Sequence, residues 1–454
     1  MRTTTCYTVF DRMREVVAAD GGKTQYAYNT QMETIAVTNA DGHTWQFMRD
    51  LDGQIIKEVD YSGHVTETNR SPNRLNTQVN DGLGPYTVVS DLYGRITEIQ
   101  EVGDTIQYLR DEKGEIIRVV NAWSTIDYYH DQYGRVVSET LTLYSGDTHT
   151  VEYEYGTLGS LRSVTQVLPD GRRVTEQPQS NEHGELSHVN HMVDGVSLAV
   201  AGFGTDEAGR RQWSSVGSLV RNFTFDDCNR IVSDITTMMG NTISDVSAGA
   251  DAHHDVANSH SAGGVQVVGR AFTWRPDDAL TQVVDTLRGT TNYLVDDAGR
   301  VVGVSRDRHA TTLAPASTSD LSTVGAASGG GTSAAVESYG FSKAGVLTKL
   351  HADTSRRWAD DAEAYGSRPH RIGRTTFTYD KAGRVIQTVT KRLSKKPLVK
   401  TFYYGSRTQP LGFSDSDHPE IGWRYIYDGM KRRVAKESID TATGEVLTRV
   451  VFFH

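Results

Sequence analysis

Apolar and polar residues alternate in short stretches along almost the whole chain. Tyr26 and Tyr28, Ile35 and Val37, and Phe377 and Tyr379 are pairs two positions apart, a spacing that puts both members on one face of a β-strand. Helical periodicity is scarce, and only residues 357–364 suit a short helix. The clearest unit is Thr378-Tyr379-Asp380-Lys381-Ala382-Gly383-Arg384-Val385. Asp380 suits the first position of a type I turn, where its carboxylate accepts nearby backbone N–H groups. Gly383 stands three residues later, where a three-residue hairpin loop needs a left-handed residue that forms a bulge. Val385 resumes the alternation and Arg384 takes the other face. The eight residues predict one β-hairpin.

Variants of this unit recur. Asp91-Leu92-Tyr93-Gly94-Arg95, Asp111-Glu112-Lys113-Gly114-Glu115 and Asp131-Gln132-Tyr133-Gly134-Arg135 follow one another at a step of twenty residues, the length of two strands and two turns. Asp206, Gly209 and Arg210 form a further copy, as do Asp296, Gly299 and Arg300. Asp50 to Gly53, Asp60 to Gly63, Asn181 to Gly184 and Ser342 to Gly345 are weaker ones. In Asp226-Asp227-Cys228-Asn229-Arg230, Asn229 replaces glycine, as expected if the position is left-handed. In Tyr427-Asp428-Gly429-Met430-Lys431-Arg432 a lysine stands there. That position is either strained or part of a different turn. The series predicts an all-β fold, a long antiparallel sheet of hairpins.

Two stretches break the rhythm, 240–268, rich in Gly, Ala, Ser and His, and 309–335, of low complexity. Both read as insertions, the second as a flexible loop, within a single repeat region spanning 1–454. Composition agrees with many half-buried strands: 454 residues, 37% hydrophobic, 43 glycines, and 21 tyrosines against 12 phenylalanines. The net charge of -10 argues against a nucleic-acid partner. The basic run Lys391, Arg392, Lys395, Lys396 and Lys400 reads as a solvated hairpin tip. Cys6 and Cys228 are too few for a disulfide framework. No apolar run approaches a membrane span, and the first residues lack a signal-peptide core. Export would then depend on a specialised secretion apparatus.

Candidate chemistry is thin. Asp251, His253, His254, Asp255 and His260 form the best metal-like cluster, but a Gly/Ala/Ser-rich insertion gives ligands no orienting scaffold. Neither a metal nor a cofactor is expected. The acidic pairs Asp226-Asp227 and Asp296-Asp297 fall at turn positions, and turn geometry accounts for the first Asp of each. Repeated Arg95, Arg135, Arg300 and Arg384 pack over aromatics and pair with turn carboxylates on this reading. Gly202-Phe203-Gly204 lacks the third glycine of a dinucleotide loop, and there is no complete Gly-x-Ser-x-Gly elbow. No catalytic residue is expected.

Aromatic-Asp-x-x-Gly-Arg-aliphatic at this spacing resembles the YD repeat of the Rhs family over nearly the whole chain. The residues that carry the likeness are Asp91, Gly94, Arg95, Asp111, Gly114, Asp131, Gly134, Arg135, Asp206, Gly209, Arg210, Asp226, Arg230, Asp296, Gly299, Arg300, Tyr379, Asp380, Gly383, Arg384, Tyr427, Asp428 and Arg432. Trp423 to Lys436 resembles the closing segment of the bacterial Rhs core, and Thr448 to His454 the strand after it. The resemblance implies a sheet coiled into a hollow shell that encloses and delivers a C-terminal toxin in competition between bacteria. It also implies a toxin domain, a secretion apparatus and an immunity protein as partners. Rhs cores end at an Asp-Pro-containing self-cleavage motif. This sequence has no Asp-Pro dipeptide, so autoproteolysis cannot be assigned, and a core truncated on its C-terminal side is the expectation. Adhesion or carbohydrate binding, as in the related teneurin shells, is one alternative. A secreted hydrolase on a β-repeat scaffold is another.

Overall fold

Turns with local chemistry and strands with period-two alternation produce a simple topology. The structure, a computed structural model, describes residues 3–239, 265–307, 335–351, 360–405 and 409–452. Among them are thirty-seven strands and no helix. Wherever the pairing is described, each strand runs antiparallel to the next in chain order, as in Ser124–His130 with Val136–Leu143 and Leu219–Phe225 with Ile231–Met238. Two compact units result. One contains Met1–Val151 together with Ser338–His454, the other Glu152–Glu337.

The hairpin geometry is the same from copy to copy. The Gly94 N–H donates to the Asp91 carbonyl at 2.9 Å, and the Asp91 N–H donates to the Arg95 carbonyl at 2.9 Å. Gly94 has φ +78°, Gly134 +79° and Gly383 +79°. The register slips by one residue at the strand end, between Tyr129 and His130 in one copy and between Thr378 and Tyr379 in another, so the turn closes with a bulge. Asn229 is left-handed at φ 69°, and so is Lys431 at φ 65°. Lys431 keeps the ordinary bonds of the turn: its N–H donates to the Asp428 carbonyl at 3.0 Å. It therefore occupies the glycine position, at a cost of about 1–2 kcal/mol in backbone strain.

Three sequence expectations change. The 240–268 insertion is shorter at its end, because Val265–Trp274 is a strand paired with Ile231–Met238. Residues 240–264 lie outside the described residues, as do 309–334, while Ala335–Phe341 is a strand. The short helix expected at 357–364 is replaced over 360–364 by the strand Asp360–Tyr365, paired with Arg368–Ile372, while 357–359 lie outside the described residues. One or two helical turns do not repay nucleation, and cross-strand pairing around Gly366, at φ 59°, wins.

The best-packed core lies in the first unit. Ile99, Ile106, Val119, Ile126, Leu141 and Leu143 come from consecutive hairpins, and Ile426, Val434 and Ala435 pack onto them from the hairpin Ile421–Asp440. Each such side chain stabilises by about 1.5–3 kcal/mol on burial. In the second unit Trp213 fills the space above Gly202 and Gly204, where a Cβ at Gly204 would meet the indole nitrogen. The Gly202-Phe203-Gly204 pattern therefore makes room for a tryptophan.

Candidate functional site

The turn residues form a ladder of polar contacts. The Asp131 carboxylate accepts from the backbone N–H groups of Tyr133 at 2.8 Å and Arg135 at 3.1 Å, and from the Arg135 Nε at 2.7 Å. The same Nε–carboxylate bond joins Asp91 to Arg95, Asp206 to Arg210, Asp226 to Arg230, Asp296 to Arg300, Asp380 to Arg384 and Asp428 to Arg432, at 2.7–2.8 Å. Asp111 accepts from the Glu115 N–H at 2.9 Å, with glutamate at the arginine position. Asp206 is held below the usual carboxylate range chiefly by the Arg210 backbone N–H, and Asp226 chiefly by the Arg230 guanidinium. Ionised acceptors bound this way are poor general acids.

The arginines also reach forward. Arg210 Nη1 donates to Asn229 of the next such turn at 2.8 Å, Arg230 Nη1 to Asp278 at 2.9 Å, and Arg384 Nη1 to the Gly405 carbonyl at 3.1 Å. Arg95 and Arg135 lie over the rings of Tyr93 and Tyr133, and Arg384 over Tyr404. Tyr379 and Tyr427 each donate a hydroxyl to a proline carbonyl of the preceding hairpin, those of Pro369 and Pro410. Each Asp shapes one turn, and Arg210, Arg230 and Arg384 tie their turns to a neighbour.

Within the first unit the ladder also returns to itself. Residues 293 to 330 positions apart meet along a seam. Ser342 donates to Asp41 at 2.6 Å, Arg368 to Asp60 at 2.7 Å, Lys431 to Glu101 at 2.5 Å and Arg432 to Glu139 at 2.5 Å. Asn121 donates to the Tyr427 carbonyl at 3.1 Å. In the first four pairs the early residue supplies a carboxylate and the late residue a cation or a hydroxyl, whereas Asn121 is an early donor.

Two carboxylates at the seam, Asp428 and Glu437, have no exposed surface. Glu437 accepts from Arg424 Nε at 2.8 Å, Arg449 Nε at 2.7 Å and the Tyr144 hydroxyl at 2.7 Å. Burial pushes its pKa up, but the Tyr144 hydroxyl and the two guanidiniums outweigh that and hold it below the usual range. Burial and the Glu437 charge keep the Tyr144 phenol protonated, with its pKa raised. Arg432 stays charged, because Glu139 and Asp428 outweigh the lowering effect of burial. Trp123 lies against Arg424. A carboxylate so fully occupied has no proton or lone pair to offer a substrate, and the cluster acts as a lock.

The strand pattern identified Asp428 and Arg432 but not Glu101, Glu139, Tyr144, Arg424, Glu437 or Arg449. One signal was available. Arg424, Glu437 and Arg449 stand opposite one another on three adjacent strands, a charge triplet at one register. Among the described residues no group of three His, Cys, Asp or Glu side chains is placed to hold a metal ion. The cluster Asp251, His253, His254, Asp255 and His260 lies outside them. Cys6 and Cys228 are free and exposed. No helix among the described residues is long and apolar enough to cross a membrane.

No family model matches the chain, and no curated protein matches it. Solved structures do. A structure of the Photorhabdus luminescens Tc holotoxin pore matches at a TM-score of 0.56 and 11% identity, covering 100% of this chain and 23% of that one. The likeness shows a shared fold. A TcdB2-TccC3-Cdc42 crystal structure matches at 0.47 and 11% identity, covering 100% of this chain and 28% of that one. TcdB2-TccC3 without its hypervariable C-terminal region matches at 0.46 and 10% identity, covering 96% and 27%. This chain thus spans about a quarter of the length of each of these three structures.

Proposed function

We propose that the chain is a wall segment of a hollow, Rhs-like YD-repeat shell, which encloses and delivers a toxin cargo and has no catalytic activity of its own. The seam carries this reading. A ladder that meets itself again after about three hundred residues, and locks there with buried ion pairs, is built to coil. Coiling lets a sheet this long protect edges that would otherwise recruit other chains. The Asp and Arg of the repeats are used up in turn geometry, and Glu437 in the lock, so none is left to act on a substrate. The fold shared with a segment of the Tc holotoxin pore supports the same role. On this reading the partners are a C-terminal toxin domain, its immunity protein and a secretion apparatus, and the protein works outside the cell that makes it.

The test is protection. An unfolded passenger appended after the last residue should survive a protease concentration that destroys the free passenger. Protection should fall when Gly429→Val disturbs the seam. Digestion of the appended passenger as fast as the free one overturns the proposal.

A further inference from the structure

An open cleft of about 530 Å³ lies on the first unit, and none of the seam residues lines it. Leu350, Ile372, Phe377 and Leu393 give it apolar walls, and Arg374, Lys391 and Arg392 surround them. The size is that of an ordinary ligand site. Its electrostatics differ from the rest of the ladder. Nearby Arg371, Arg384 and Arg392 are paired with Glu363, Asp380 and Asp417. Arg374 and Lys391 have no ion pair among the described residues. Arg374 stands half-buried in the turn between Arg368–Ile372 and Thr375–Tyr379, and its carbonyl accepts from the N–H of Lys391, which opens the exposed loop that also carries Lys395 and Lys396. Leu393, at the lip, is 89% exposed.

Two cations without an ion pair among the described residues, beside an open apolar surface, form an incomplete site. Each half calls for a different part of one ligand. The walls take a bulky apolar side chain, and the cations take carboxylates, with Arg374 able to grip one with two parallel N–H bonds. The lining runs across four strands, Leu347–His351, Arg368–Ile372, Thr375–Tyr379 and Val385–Thr390, and the loop after them, with the cations grouped where Lys391 meets Arg374, so an extended segment reaches both the apolar walls and the charges. We propose that this cleft docks an acidic peptide segment, with an aromatic or aliphatic anchor seated against Phe377 and Leu393 and flanking carboxylates on Arg374 and Lys391. The assignment is independent of the wall reading, because it concerns only these residues.

The probe is a fluorescein-labelled peptide with a central Phe-Leu pair flanked by glutamates, titrated into the full chain and followed by polarisation. Saturable binding is expected. It should weaken at least about tenfold in Arg374→Glu/Lys391→Glu, in Leu393→Asp, and when serines replace the Phe-Leu pair. Lys391 and Leu393 are exposed and Arg374 is half-buried in a turn, and unchanged melting of each variant would show that the fold is kept. Lack of saturable binding, or equal binding by the variants, overturns the proposal. Binding of dodecanoate with no binding of the peptide overturns it in favour of a small amphiphile. Equal affinity for the Phe-Leu and serine peptides reduces the site to a charged patch and also overturns it.

Discussion

Gly429 approaches Val119 so closely that a Cβ on the glycine would lie 2.5 Å from Val119 Cγ1. Tyr108, 321 positions before Gly429, donates its hydroxyl to the Gly429 carbonyl at 3.4 Å. The tip of a late hairpin is thus fitted to the face of early strands, and only a residue without a side chain fits there. Gly429→Val should destabilise by about 1–3 kcal/mol through overpacking. Gly429→Val with Val119→Ala should recover part of that loss, because the second change removes the methyl groups in the way. Denaturant midpoints of the two variants and of Val119→Ala alone measure the coupling. Strict additivity would mean that the two residues do not touch.

The left-handed turn position can be tested in both directions. A Cβ at Gly94, at φ +78°, meets nothing within 4 Å, so Gly94→Ala tests backbone strain free of any clash. A loss of about 0.5–1 kcal/mol is expected, the added strain less the unfolded-chain entropy removed. Met32 sits in the corresponding position at φ 62°, and Met32→Gly should gain about 0.5–1 kcal/mol, the relieved strain less the added chain entropy. Thermal unfolding of both variants checks the pair. Shifts of the same sign would contradict a shared conformation.

These turns were legible in the sequence because their chemistry is local. Asp131, Gly134 and Arg135 lie within five positions, and every bond that shapes their turn joins neighbours. The seam was not legible, for the opposite reason. Its bonds join residues about three hundred positions apart, and Glu101, Glu139 and Tyr144 look in sequence like ordinary positions on wet strands. The closing motif was recognised up to Lys436, one residue short of Glu437, the most fully bonded carboxylate at the seam. Pattern reports which face of a strand a residue takes. It does not report which distant strand will cover that face.

Forward contacts between turns should show as pairwise coupling. Arg210 joins its own Asp206 and also Asn229 of the next such turn. In a double-mutant cycle of Arg210→Ala and Asn229→Gly, glycine preserving the left-handed turn, a coupling of about 0.5–1 kcal/mol is expected. Arg210→Lys should lose most of it although the charge is kept, because an ammonium cannot serve both partners in the plane that the guanidinium does. Zero coupling would mean that each turn stands alone.

The lock at Glu437 makes the seam sensitive to acid. Its carboxyl has a lower pKa folded than unfolded, so the folded form binds protons less readily. Its contribution to stability is complete above the unfolded carboxyl pKa, about 4.3 for glutamate, and is lost as pH falls through the lower folded value. Asp206, Asp226 and Asp285 are depressed as well and act in the same direction. The chain should therefore hold its melting temperature near neutral pH and lose it steeply below about pH 4. Glu437→Gln should cost about 3 kcal/mol at pH 7, because Arg424 and Arg449 are left around a neutral amide. The penalty of the substitution should then shrink as pH falls, since acid removes from the native chain the charge that the variant already lacks. Melting temperatures of both proteins between pH 7 and pH 3 decide the matter. Curves that stay parallel to the lowest pH would show that Glu437 does not titrate with unfolding, and that the lock is held by packing alone.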